Sequence, residues 1–205
     1  MRNQKTILIV KVAIFSALAS VLYAVPGLQF SLPIFPSFLK IQFSNLPAIL
    51  CGFLSGPVGG LLVILIKLIV KVIVTGSETF LIGELADVLI GVCVVLTSSL
   101  IYKKDHTKNG GKKALIFTTI AWAFMGVVAN WLILAPAYIK YFMGGNVSVF
   151  VGMLSIYPWV NETNYMVTYL FVGVLPFNLL LASVSNLITY FVYKKTSVLF
   201  HKMEK

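Results

Sequence analysis

The sequence predicts an all-α integral membrane protein, a bundle of six transmembrane helices with both termini in the cytoplasm, and three observations carry that prediction. Of its 205 residues 59% are hydrophobic and 11% charged, with a mean hydropathy of +0.97, where a soluble domain holds about 25% charged residues. Several apolar stretches approach or exceed the ~18–20 residues that carry a helix across a ~30 Å hydrocarbon core. The basic residues gather in three short clusters beside those stretches: Arg2, Lys5 and Lys11; Lys103, Lys104, Lys108, Lys112 and Lys113; and Lys194, Lys195, Lys202 and Lys205. Such clusters mark cytoplasmic loops under the positive-inside rule.

The predicted spans are 6–26, 42–55, 57–75, 80–102, 113–138 and 165–193, within one domain over 1–205. The first follows a basic flank and has no clear A-x-A-like cleavage site, so it reads as a retained span and not a signal peptide. The second is short and ends at the turn signal Ser55-Gly56-Pro57. Pro57 then suits the first turn of the third, which makes the two a tight hairpin. A single helix across 43–74 would be ~48 Å long at 1.5 Å per residue, too long for one crossing without strong tilt. Charge decides the count: six crossings put all three basic clusters on the cytoplasmic face, whereas five put the first opposite the other two. In the loop before the fifth span, Gly110-Gly111 reads as a flexible linker.

The outer segments are then 27–41, 76–79 and 139–164. The first is rich in Pro and Phe, and the last carries Gly144, Gly145, Tyr157, Pro158 and Trp159. Segments this apolar fold over a site or anchor at headgroup level. No internal repeat is visible, so an inverted-repeat transporter finds no support.

Several function classes are excluded. The net charge of +10 forms no continuous basic face with aromatic or helix-borne readers, so a nucleic-acid partner is not expected. Cys51 and Cys93 fall in apolar spans outside any CxxC pair, which argues against disulfide or zinc chemistry. His106 and His201 lie outside the spans, and HExxH, a Walker A loop and a serine elbow are missing. The chain is therefore not expected to be an enzyme or to hydrolyse ATP itself, and no metal is expected.

Charged residues within spans cost roughly 2.5–3.5 kcal/mol each at a helix centre and need a reason. Lys67 and Lys71 share one helix face, and Glu84 and Asp87 share another. They either neutralise one another between helices or present an acid to a ligand. Asn130, Asn178 and Asn186 lie deep in apolar surroundings. An amide can read the carbonyl and N–H edge of a heterocycle, or simply bond helix to helix. Ala13 and Ala17, with Ser16 and Ser20 beside them, make a smooth stripe that either packs internally or docks a partner.

Five segments then carry a resemblance over nearly the whole chain: Phe38-Leu39-Lys40-Ile41-Gln42-Phe43-Ser44-Asn45-Leu46-Pro47-Ala48; Gly56-Pro57-Val58-Gly59-Gly60 leading to Lys67; Gly83-Glu84-Leu85-Ala86-Asp87; Asn130-Trp131-Leu132-Ile133-Leu134-Ala135-Pro136-Ala137-Tyr138; and Leu175-Pro176-Phe177-Asn178-Leu179-Leu180. In this order the chain resembles the substrate-binding S components of energy-coupling factor (ECF) vitamin transporters, most closely those specific for riboflavin. The resemblance implies a six-helix, multi-pass protein of the plasma membrane whose ligand pocket lies near the outer side under the loop between helices one and two. It implies riboflavin or a related flavin as transported substrate, with no cofactor. Asn130 and Asn178 would hydrogen-bond the flavin and Leu39, Ile41 and Phe43 would line its ring, with Glu84, Asp87, Tyr138 and Leu181 completing the expected ligand set. Ala13 and Ala17 would dock a transmembrane coupling protein that binds two cytoplasmic ATPases, and the bundle would topple during transport.

The chain also departs from the family pattern. Leu181 stands where a lysine is familiar, Gln42-Phe43-Ser44-Asn45 where Asp-Phe-Ser-Asp is common, and Asp87 where Asn is common. These leave the fold expectation intact but keep another heterocyclic solute open, beside a non-transport membrane scaffold with purely structural polar pairs.

Overall fold

A computed structural model describes residues 4–77 and 79–204, with side chains as far as residue 196. Arg2, Lys205 and the side chain of Lys202, members of the basic clusters, lie outside the described residues. The long helices are α1 (Gln4–Ala24), α2 (Leu46–Thr75), α3 (Ile82–Lys104) and α4 (Lys108–Phe142). A short α5 (Val147–Met153) follows, then α6 (Tyr165–Thr196), whose helical backbone continues to Glu204. Among the described residues 5 helices, all but α5, are long and apolar enough to cross a membrane.

Separate helices were expected over 42–55 and 57–75; α2 breaks at Gly56, where φ is 76° and ψ 178°, into a first limb that starts at Leu46 and a second that ends at Thr75. On a straight helix residues 48 and 60 would stand ~18 Å apart, and 45 and 67 ~33 Å. Here a Cβ added to Gly60 would meet Ala48 O at 2.8 Å and Gly52 Cα at 3.2 Å, and Lys67 Nζ lies 2.6 Å from Asn45 Oδ1. The two limbs of α2 are therefore folded back on each other. Gly56 takes a positive φ that a side chain would strain, and Pro57, with no N–H to leave unpaired, starts the second limb. Glycines at 52 and 60 let the limbs touch backbone to backbone.

Other boundaries move for local reasons. Helix α2 begins at Leu46, not 42, because β2 (Lys40–Ile41) pairs antiparallel with β1 (Phe30–Ser31) and holds the preceding chain extended. The expected linker Gly110-Gly111 is buried in the first turn of α4. Thr107 caps that helix, its Oγ1 accepting from Gly110 N–H at 3.1 Å. Hydrogen bonds from Thr107 also hold the Asp105 carboxyl, in the turn between α3 and α4, below the usual carboxylate range.

The helices pack in sequence order, α1 on α2, α2 on α3, α3 on α4 and α4 on α6, with α6 also touching α2 to close the bundle. One apolar cluster joins α1, α2 and α3 through Val12, Phe15, Leu50, Ile64 and Val95. Another joins α3, α4 and α6 to the intervening segments through Phe35, Trp122, Phe150, Tyr169 and Phe177. Ile116, Phe117, Ile120 and Phe124 of α4 point outward, as residues facing lipid do. Ala13 and Ala17 lie on the outer face of α1, while Ser16 and Ser20 are turned inward.

Gly60→Val places its Cβ 2.6 Å from Val95 Cγ1 as well as on Ala48 O. It is expected to destabilise the protein by about 1–3 kcal/mol, read as a lower thermal midpoint in detergent. Gly27→Ala, which meets nothing within 4 Å, is the control, expected within about 0.5 kcal/mol of native. Equal midpoints for both would mean that the limbs of α2 do not pack closely.

Candidate functional site

The C-terminal ends of α1, α2 and α4 and the N-terminal ends of α3 and α6 meet at one end of the bundle, around a cavity of about 560 Å³. The opposite end carries Lys5, Lys103, Lys104, Lys108, Lys112, Lys113, Lys194 and Lys195. The segment between α1 and α2 contributes Pro26, Gln29, Phe38, Leu39, Lys40, Gln42 and Asn45 to the cavity, and so roofs it.

One side of the cavity is charged and polar. Lys71 pairs with Glu84 and also donates to Gly76 O at 2.9 Å. The Ser77 and Thr79 hydroxyls each donate to Glu84 Oε2 at 3.0 Å. Lys67 pairs with Asp87 at 2.8 Å. The side chains of both acids are nearly buried, at 5% and 7% exposure. Each acid thus has its own lysine, and the Tyr23 ring lies over both ammonium groups, at 5.0 and 5.8 Å from centroid to Nζ.

The other side is apolar with amides set into it. Trp122, Phe150, Phe177, Leu134 and Leu181 form the wall, and Asn130 and Asn178 interrupt it. Asn130 begins a π-helical stretch of α4, Asn130–Leu134, and α6 has a matching one at Thr168–Val174. Each ends just before a proline, Pro136 or Pro176. A proline ring inside a helix lacks its N–H and clashes with the carbonyl four residues back; widening the preceding turn relieves both, and such π turns are frequent at functional sites. Asn130 Nδ2 donates to Gly126 O at 2.8 Å, and the Tyr169 hydroxyl donates to Asn130 Oδ1. Asn178 Nδ2 donates to Val174 O at 2.9 Å. Gly126 makes room for that amide, since a Cβ there would lie 2.6 Å from Asn178 Cγ.

The family model for the substrate-specific component of ECF transporters matches residues 8–193. The chain belongs to this family of S components. It is 26% identical over 186 residues to the riboflavin transporter FmnP of Bacillus subtilis, covering 90% of each chain. To the riboflavin transporter RibU of Leuconostoc mesenteroides it is 30% identical over 187 residues, covering 87% of this chain and 84% of the relative. A solved S component of a bacterial ECF transporter superposes with a TM-score of 0.71 at 24% identity, over 96% of this chain and 98% of that one, which shows a shared fold. This S component is thus a multi-pass protein of the plasma membrane.

Of the residues singled out in the sequence, Leu39, Glu84, Asp87, Asn130, Tyr138, Asn178 and Leu181 line the cavity of this S component. Ile41 and Phe43 do not: from Lys40 on, Lys40 and Gln42 face the cavity, and the neighbours Ile41 and Phe43 turn the other way, as successive residues of an extended chain do. Ile41 is buried in the core behind the wall, with Phe43 packed against it. Asn186 sits elsewhere, donating to Leu115 O at 3.2 Å and Thr119 Oγ1 at 2.8 Å, which ties α6 to α4. Tyr23, Gln29, Trp122 and Tyr169 are lining residues that sequence reasoning missed. The prolines at 136 and 176 were the available signal for the region around Tyr169; nothing local marks Tyr23 or Trp122.

Removing one member of a buried ion pair strands the other's charge. Glu84→Ala is expected to cost about 3–5 kcal/mol by thermal or chemical unfolding. Glu162→Ala, at an exposed side chain, is expected to change stability by under about 0.5 kcal/mol. A Glu84→Ala protein as stable as native would refute the pairing as drawn.

Proposed function

We propose that this S component captures riboflavin at the outer side of the membrane and delivers it inward, together with a transmembrane coupling protein and two cytoplasmic ATPases. The observation that carries the reading is the cavity of about 560 Å³, in which two helix-borne amides interrupt an otherwise apolar wall. Its size suits a drug-sized ligand, for which sites run about 300–1,000 Å³. A flavin is a flat apolar tricycle whose polar edge alternates carbonyl and N–H groups, and amides can pair with both. Asn130 and Asn178 are assigned to that edge, Leu39, Trp122, Phe177 and Leu181 to the ring faces, and Tyr138, Glu84 and Asp87 to the polar remainder. The names of the relatives from Bacillus, Leuconostoc and Staphylococcus, riboflavin transporters all, support the same substrate.

The reading includes six crossings with both termini in the cytoplasm. The back-folded α2 supports the count, since its two limbs run in opposite directions. The lysine-rich end, opposite the cavity, supports the orientation under the positive-inside rule. On that topology the cavity opens outward, as capture requires. Ala13 and Ala17, outward-facing on α1, are assigned to the coupling protein. One observation favours a second reading: Leu181 lies in the cavity wall where the resemblance leads one to expect a lysine, so a different heterocyclic solute is the alternative.

Protein purified in detergent from a flavin-replete host is expected to carry a flavin absorbance through gel filtration, and ligand-free protein to quench added riboflavin fluorescence. A colourless protein that fails to quench would move the other heterocycle into first place. Asn178→Ala and Gly126→Ala, which removes or displaces the same amide, are each expected to weaken riboflavin binding by about tenfold, the loss of one buried hydrogen bond. Native affinity in both variants would remove Asn178 from the site. Enlarging Ala13 and Ala17 to Trp is expected to abolish co-purification with the coupling protein while leaving riboflavin binding intact; unchanged recovery would overturn the docking assignment.

A further inference from the structure

Behind the cavity wall, where the second limb of α2 passes the start of α3, Lys67 is completely buried. Its ammonium donates to Ser44 Oγ at 3.0 Å and Asn45 Oδ1 at 2.6 Å, and is ion-paired with Asp87 Oδ2 at 2.8 Å. The last two belong to different parts of the site. Asn45 ends the roof segment, Asp87 stands on the α3 wall, and both line the cavity although Lys67 does not. Asn45 is held from the other side as well, since a Cβ on Gly91 of α3 would stand 3.2 Å from its Oδ1. Lys71 has its own carboxylate in Glu84, so the charge of Lys67 is matched by Asp87.

We propose that Lys67 is a positioning residue for the cavity, fixing the base of the roof against α3, and that its neutralising carboxylate can stand at position 45 in exchange for position 87. The proposal rests on the reading that this cavity holds riboflavin. An amide and a carboxylate are close in shape, and each already places an oxygen within hydrogen-bond reach of the same nitrogen. A buried ammonium requires one negative partner in good geometry; which side of the ammonium bears it leaves the net charge unchanged. If Lys67 served only to cancel Asp87, removing both charges would leave the cavity as it is. If it spaces the roof from the wall, removing both leaves Ser44 and Asn45 without their donor, and the roof loses its hold.

The test is a riboflavin titration by fluorescence quenching, with thermal midpoints, on the full chain in detergent. The proteins are native, Asp87→Asn, the exchange Asn45→Asp/Asp87→Asn, and the uncharged Lys67→Met/Asp87→Asn. Asp87→Asn is expected to lower the midpoint and weaken riboflavin binding by about tenfold or more, and the exchange to recover most of the midpoint and to bind more tightly than Asp87→Asn alone, as coupled neighbours do in double-mutant cycles. The uncharged variant is expected to keep a midpoint near native yet bind about tenfold more weakly than the exchange; both carry Asn at position 87, so the loss of any direct Asp87 contact is common to them and the difference reports on Lys67. An exchange variant no better than Asp87→Asn alone, or an uncharged variant binding as tightly as the exchange, overturns the proposal. Should native protein not quench riboflavin, the ligand assignment fails by itself. The exchange is then judged on the midpoints, where recovery supports the proposal and its absence overturns it.

Discussion

A lysine with no exposed surface, set among helices that cross a membrane, holds its charge only if that charge is answered within the protein. Lys67 is answered by Asp87 and by two neutral oxygens at the start of α2, and Lys71 one turn on is answered by Glu84. Both pairs lie at the junction of α2, α3 and the end of α1. The requirement for neutrality therefore fixes how these three helices meet, and with them one whole side of the cavity. Glu84 adds a second level of organisation by gathering the hydroxyls of Ser77 and Thr79 and so drawing in the short connection between α2 and α3.

The opposite side is organised by backbone and not by charge. Two prolines within long helices each force the turn ahead of them to widen, and the widened turns of α4 and α6 face each other through the Tyr169–Asn130 hydrogen bond. In a hydrocarbon environment backbone polar groups freed by a proline must be satisfied within the protein. The π stretches do so, and they set side chains at new angles around the helix axis at the level of the cavity. A site results that combines a charge-neutral polar wall with an apolar wall carrying amides. That combination suits a ligand with a flat apolar body and polar edges.

The fold-back of α2 links the two sides. Its first limb packs against the second where Gly52 and Gly60 bring the two backbones together. The return brings Lys67 back to the level of Asn45, which is what allows one ammonium to touch both the base of the roof and the wall of α3. Without the reversal at Gly56 those groups would lie more than a full membrane half apart.

The sequence by itself determined the membrane class, the long helices, the break at Gly56-Pro57, the family and seven of the positions that line the cavity. These follow from one-dimensional signals: apolar run length, basic flanks, turn residues, and polar residues that hydrocarbon does not tolerate without cause. Which lysine meets which acid was left open, because both lysines share one helix face and both acids another, and helix rotation and depth decide between the pairings. The split of the Ala/Ser stripe of α1 into an outward and an inward half, the turning of Ile41 and Phe43 away from the cavity, and the structural placement of Asn186 were decided in the same way. So were Tyr23 and Trp122, ordinary aromatic residues in ordinary spans until packing placed them on the wall. Each of these depends on the angle at which one helix or strand faces its neighbour, and only the assembled bundle sets that angle.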